Sequence, residues 1–88
     1  MNYAALRAFH YVVENGSMTR AAAALGVSQP TLSGQVKALQ MRHGIRLLER
    51  NGRGLDPTER GRALHELTRQ YFAVEDQIEQ FFTQVKNP

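Results

Sequence analysis

Ser17-Met18-Thr19-Arg20-Ala21-Ala22-Ala23-Ala24-Leu25-Gly26-Val27-Ser28-Gln29-Pro30-Thr31-Leu32-Ser33-Gly34-Gln35-Val36-Lys37-Ala38-Leu39-Gln40-Met41-Arg42-His43 is the stretch that decides the fold. It reads as a short helix, a tight turn and a second helix. Ser17 is placed to cap the first helix, because its hydroxyl can accept from a backbone N–H one turn on. Met18, Ala21, Ala22 and Leu25 then fall on one face at helical spacing. Gly26 follows where the chain must reverse, and positive φ costs a glycine little. Val27 is expected to tuck between the two helices. Ser28 repeats the cap signal, and Pro30 sits in the first turn, where its missing N–H is no loss. Leu32, Val36 and Leu39 make the buried face of the second helix. The opposite face carries Gln29, Thr31, Ser33, Gln35 and Lys37, with no acidic residue. Two helices joined by a short glycine-bearing turn, the second polar and basic outside, form a helix-turn-helix pattern.

The segments around this pattern support it. Asn2 can cap a helix running to about Glu14, with Leu6, Phe9 and Val13 as its apolar stripe and Ala5 and Val12 beside it. Asn15-Gly16 ends that helix, which would complete a three-helix core. After Gly44 the character changes. Ile45, Leu47 and Leu48 are followed by Glu49-Arg50-Asn51-Gly52-Arg53-Gly54-Leu55-Asp56-Pro57. Asn-Gly with a further glycine is a turn signal between short extended segments. The reading is a two-stranded wing at about 46–57 with Arg50 and Arg53 at its tip; a solvated loop carrying two arginines is the alternative. An arginine on a narrow loop beside a basic helix can enter a minor groove, where negative potential is high.

From Thr58, the expected cap, the pattern is helical to about Lys86. Gly61 is out of place in a helix interior and points to a close approach between this helix and the core. Leu64, Leu67, Tyr71, Val74, Ile78, Phe81 and Val85 alternate in steps of three and four, an a/d seam held over three heptads. Phe72 and Phe82 lie beside it. Such a helix is about 40 Å long at 1.5 Å per residue, more seam than a three-helix core can cover. A second copy of the chain is the simplest cover; folding back along its own domain is the alternative. The seam leaves the parallel or antiparallel sense of the pair open.

Composition narrows the function classes. Eighty-eight residues allow one small domain with one extra element. There is no cysteine, so disulfides and thiolate metal sites are excluded. No run approaches the roughly 20 apolar residues of a membrane span. The three histidines, His10, His43 and His65, have no histidine partner at i+3 or i+4, so spacing argues against a metal site. Residues 17–62 hold eight basic and three acidic residues, whereas residues 63–88 hold two basic and four acidic. The middle of the chain is thus polarised toward a polyanion. No set of residues suggests catalysis. A protein-interaction module built on the amphipathic helix is the rival to DNA binding. Its mark would be binding insensitive to changes at Gln29, Ser33 and Arg50.

The order Leu6-x-x-Phe9, Gly16-Ser17-Met18, Ala21-Ala22-x-x-Leu25, Val27-Ser28-Gln29-Pro30-x-x-Ser33-x-Gln35-Val36-x-x-Leu39, Gly44-x-x-Leu47-Leu48-x-Arg50 and Thr58-x-x-Gly61 closely resembles the N-terminal domain of LysR-type transcriptional regulators. The resemblance covers essentially the whole chain. It implies a mostly α winged helix-turn-helix, a three-helix core plus a small β-hairpin wing, over residues 1–58, with the helix-turn-helix at about 18–37. Residues 59–88 would be a linker helix for dimerisation. It implies a bacterial, cytoplasmic regulator that is not an enzyme and needs no cofactor in this part. A small-molecule effector would belong to a C-terminal domain absent from these residues; Asn87-Pro88 falls about where the family's hinge begins. The implied partner is double-stranded DNA with an interrupted, A·T-ended palindrome, bound by a homodimer, with a tetramer open to the full-length protein.

By position, the resemblance puts Ser28, Gln29, Pro30, Thr31 and Ser33 at the reading end of the recognition helix. Gln35 and Lys37 become groove-edge or phosphate contacts, and Arg50 and Arg53 wing contacts. Glutamine can bond adenine bidentately, and serine and threonine hydroxyls suit phosphates. The sequence departs from the family at four places. Gly34 stands where a longer, often basic residue is common, which removes a base reader and loosens the helix by roughly 1 kcal/mol relative to alanine. Gln40 replaces a common glutamate, Leu48 a common phenylalanine, and Arg60 a small residue.

Overall fold

The computed structural model describes residues 1–86, as four helices and one hairpin. They are α1 Tyr3–Asn15, α2 Met18–Leu25, α3 Gln29–His43, β1 Leu48–Asn51, β2 Gly54–Pro57 and α4 Glu59–Lys86. Asn87 and Pro88, the end of the expected linker, lie outside the described residues.

Each early helix begins at a side-chain cap. Asn2 Oδ1 accepts from Ala5 N–H at 3.0 Å, Ser17 Oγ from Arg20 N–H at 3.2 Å and Ser28 Oγ from Thr31 N–H at 3.2 Å. These bonds satisfy donors that a helix start leaves without partners. Gly26 ends α2 at φ +72°, a left-handed turn that aims the chain into α3. Val27 sits just beyond and is 39% exposed, so it does not fill the space between the helices as expected. The αL turn spends that residue on the backbone instead: Val27 N–H donates to Ala22 C=O at 3.1 Å.

The core lies between α1, α2 and α3. It comprises Ala5, Ala8, Phe9 and Val12 from α1, Ala21 and Ala22 from α2, Leu32, Val36 and Leu39 from α3, and Leu47 and Leu48 leading into the wing. The α1 stripe is rotated slightly from the expected one: Ala8 is buried and Val13 only half-buried. Small alanines at 5, 8, 21 and 22 let the backbones approach, and Phe9 fills the centre. Leu47 and Leu48 are fastened by Gln40, whose Oε1 accepts from both of their N–H groups, at 2.7 and 3.2 Å. The amide oxygen thus supplies the acceptor that a glutamate carboxylate would offer at this place. Gln40→Ala would leave two part-buried donors unpaired. We expect a loss of about 2 kcal/mol in urea unfolding; an unchanged midpoint would show that water replaces the side chain at both donors.

β1 and β2 pair antiparallel, with Leu48 opposite Pro57, Glu49 opposite Asp56, Arg50 opposite Leu55 and Asn51 opposite Gly54. The hairpin is tied to the helices by Leu55 N–H donating to Gly16 C=O at 3.3 Å. Thr58 joins wing to α4. Its N–H donates to Leu47 C=O at 2.9 Å, its hydroxyl donates to Arg46 C=O at 2.7 Å, and its Oγ1 caps Gly61 N–H at 3.0 Å.

The first half of α4 docks on α1. Gly61 is buried against Leu47, and Leu64 packs on the core. Phe72 lies edge-on to Tyr3, at 5.8 Å between ring centroids, and close to His10 at 5.0 Å. Tyr3 Oη donates to Glu75 Oε2 at 2.6 Å, and that bond, with some desolvation, pushes the phenol pKa up. Leu64 is therefore turned to the core and does not extend the free seam. Beyond Asp76 the helix runs out from α1 and gives the molecule its 49 Å long axis, against 24 and 22 Å across.

Candidate nucleic-acid interface

The start of α3 is fully presented. Ser28, Gln29, Pro30 and Thr31 are exposed, as are Gly34 and Lys37, while Ser33 and Gln35 are half-buried. Ser28 both caps Thr31 and donates its hydroxyl hydrogen to Thr31 Oγ1 at 2.8 Å. The Thr31 hydroxyl hydrogen is then left to point away from the cap. At about 100° per residue, Gln29, Ser33 and Lys37 form one row on α3, and Thr31 and Gln35 fall on the other flank of the exposed face.

The wing stands beside the first row. Ser33, Gly34 and Lys37 line a groove whose other wall is Arg46 and Arg50. A second groove adjoins it, lined by Ser17, Thr19 and Gln29 from the helices and by Arg50 and Arg53 from the wing. Arg50 borders both. Its place differs from the expected one: it lies within β1, opposite Leu55, and only Arg53 occupies the two-residue tip with Gly52. The period-two alternation of strands explains the outcome. Leu48, Arg50, Leu55 and Pro57 share the face toward the helices, and Glu49 and Asp56 are paired on the outer face. Glu49 nevertheless borders the first groove beside Arg46 and Arg50, whereas Asp56 Oδ2 is engaged by Asn51 Nδ2 at 2.6 Å.

The structure thus brings Gln29, Ser33, Lys37, Arg50 and Arg53 together and sets Thr31 and Gln35 apart from them. It adds Ser17 and Thr19, at the start of α2, and Arg46. Sequence spacing gives no sign of these three, because they meet α3 only through the packing of α2 and the hairpin. Gly34 borders the first groove, and a Cβ built there would meet nothing within 4 Å. The position is open space and not a close approach.

The second exposed feature is the outer face of α4. Leu67, Tyr71, Val74, Ile78, Phe81 and Val85 are 43 to 62% exposed in the single chain, with Phe82 at 58% beside them. At 3.6 residues per turn this row lies roughly 110° round the helix from the row docked on α1. One helix can therefore hold the core with one face and leave the other uncovered. No helix among the described residues is long and apolar enough to cross a membrane.

Residues 3–62 match the family profile described as bacterial regulatory helix-turn-helix protein, lysR family. The chain is 35% identical over 78 residues to the transcriptional activator protein NhaR of Escherichia coli (strain K12), an alignment that takes in 89% of this chain and 26% of NhaR. It is 44% identical over 71 residues to the HTH-type transcriptional regulator BudR of Klebsiella aerogenes, covering 81% of this chain and 50% of BudR. The chain therefore spans about a quarter to a half of the length of these relatives. Among solved structures it superposes on the BenM DBD in a complex with catB site 1 DNA, with a TM-score of 0.86 at 33% identity over 100% of this chain and 98% of that one. The CbnR DBD in its DNA complex gives a TM-score of 0.79 at 33% identity, over 99% of this chain and 100% of that one.

Proposed function

The chain belongs to the LysR family of bacterial helix-turn-helix regulators, and from that premise we propose that it binds double-stranded DNA sequence-specifically as a dimer. In this reading residues 1–58 are the DNA-binding domain and residues 59–88 the dimerisation helix. The observation that carries it is the pair of adjoining grooves between the exposed row of α3 and the wing, where Gln29, Ser33, Lys37, Arg50 and Arg53 converge. The row of α3 enters the major groove. There Gln29 reads a base edge, and Ser28, Thr31, Ser33 and Gln35 contact bases or backbone. Pro30 pre-forms the first turn, and the positive end of the α3 dipole favours a phosphate. Lys37 and the wing arginines take phosphates, and Arg53 at the tip reaches the minor groove.

Dimerisation through Leu67–Val85 follows from the uncovered seam. A twofold pair would present two recognition helices to an interrupted palindrome. The cytoplasm of a bacterium is the compartment this implies, and a tetramer is open to a full-length protein.

Two variants separate the roles. Arg50→Ala is expected to weaken binding to all sequences and to reduce the salt dependence by about one counterion. Gln29→Ala is expected to relax preference at one base pair by roughly 1–3 kcal/mol while leaving non-specific binding in place. Fluorescence anisotropy against specific and scrambled duplexes at several salt concentrations measures both. Parental behaviour of both variants would overturn the assignment of this face.

A further inference from the structure

Three side chains from distant parts of the chain meet where α4 docks on α1. His10 and Glu14 are one turn apart on α1 and share a face. His65 comes from α4. The imidazoles of His10 and His65 are stacked, 5.3 Å between centroids and 23° between planes. His65 Nε2 lies 2.6 Å from Glu14 Oε2. One donor atom from each of the three residues lies within 4.8 Å of the other two.

A buried threonine sets up this cluster from behind. Thr68 is 1% exposed, and its hydroxyl donates to His65 C=O at 3.1 Å. A hydroxyl has one hydrogen, so while it is given to His65 C=O, Thr68 Oγ1 accepts from His10 Nδ1, 2.8 Å away. The His10 tautomer that uses this contact carries its proton on Nδ1 and keeps the Nε2 lone pair for a ligand. Holding one ring N–H so that the other nitrogen can ligate is the arrangement found behind metal-binding histidines.

We propose that His10, Glu14 and His65 form a binding site for a divalent transition-metal ion of the zinc class, which clamps α4 to α1. Two imidazole nitrogens and one carboxylate oxygen are a donor set that zinc accepts and that magnesium and calcium, which take oxygen, do not favour. Bonds of about 2.0–2.1 Å to a tetrahedral ion place donors roughly 3.4 Å apart. The His65–Glu14 pair, 2.6 Å apart, thus needs to open by just under an ångström, which the exposed Glu14 side chain can supply, and the His10 nitrogen, within 4.8 Å of both, needs to close by about an ångström. Binding replaces the His65–Glu14 hydrogen bond by one bond from each residue to the ion, and the proton on His65 Nε2 moves to Nδ1 or to solvent. The fourth place is left to water. Because α1 belongs to the helical core and α4 carries the uncovered seam, the ion would fix the angle at which the seam leaves the core.

The test is titration of the 88-residue chain with zinc chloride by calorimetry, with thermal unfolding in parallel. The proposal predicts uptake of one ion per chain and a rise of the unfolding midpoint by several degrees, reversed by EDTA. Magnesium chloride should give neither. His10→Gln and His65→Gln should each weaken uptake by about tenfold or more. His43→Gln, which alters the histidine at the exposed end of α3, should bind as the parent does. Circular dichroism establishes that the variants are folded before they are compared. No zinc uptake by the parent, or equal uptake by the parent and by both folded cluster variants, overturns the proposal.

Discussion

Gly61→Ala should destabilise the protein by roughly 2–3 kcal/mol, although alanine is the better helix former by about 1 kcal/mol. A Cβ at residue 61 would stand 2.0 Å from the Leu47 carbonyl oxygen and 3.0 Å from both Leu47 C and Pro57 Cβ. The Leu47 carbonyl cannot swing aside cheaply, because it accepts from Thr58 N–H at the joint between wing and helix. Moving it would disturb Leu47 and Leu48 in the core, the Gln40 clasp behind them and the cap of α4 together. The clash therefore wins over propensity. For a chain of this size such a loss lowers the thermal midpoint by about 10–20 °C. Thermal unfolding checks it. An unchanged or higher midpoint would mean that α4 can back away from Leu47, and that the junction of wing and helix is looser than described.

A still larger effect is expected on association. Val74 and Ile78 lie at the middle of the uncovered row on α4, each 52% exposed in the single chain. Replacing both by aspartate should convert a dimer to a monomer. Burial of each such side chain contributes about 1.5–3 kcal/mol, and in a twofold pair every substitution counts twice. The summed loss is roughly 6 kcal/mol or more, on the order of ten-thousandfold in the dissociation constant. Sedimentation equilibrium reads the mass directly. The helical core should stay folded, because the row docked on α1 is untouched. Retention of the dimer mass by the double variant, or a monomer mass for the parent at high micromolar concentration, would contradict the role given to this face.

The local signals in the chain were the ones that survived folding. Asn2, Ser17, Ser28 and Thr58 each cap the helix they were expected to cap, because a cap depends on atoms only a few residues apart. The hairpin follows Asn51-Gly52 for the same reason, and Gly61 was legible because a glycine in a helix interior requires a cause. What depended on packing between distant elements was not legible. Arg50 moved from the tip into β1 because the register, not the turn signal, decides where strands end. Leu64 left the seam because the docking of α4 sets which side of that helix is covered. The cluster of His10, Glu14, His65 and Thr68 was invisible to a search by spacing, since its members are brought together only when α4 lies along α1. In the candidate interface the row on α3 could be read from the sequence. The addition of Ser17, Thr19 and Arg46 could not.

We propose that two copies of the α3–wing surface recognise a dyad specifically. Fluorescence anisotropy of the 88-residue chain tests it most directly, on an interrupted palindrome with A·T-rich ends and on a scrambled duplex of equal length, across a salt series. Tighter binding to the palindrome, two chains per duplex, and a steep loss of affinity with salt from the lysine and arginines around the grooves are expected. Equal affinity for both duplexes at every salt concentration, or no binding at low salt, would contradict the proposal.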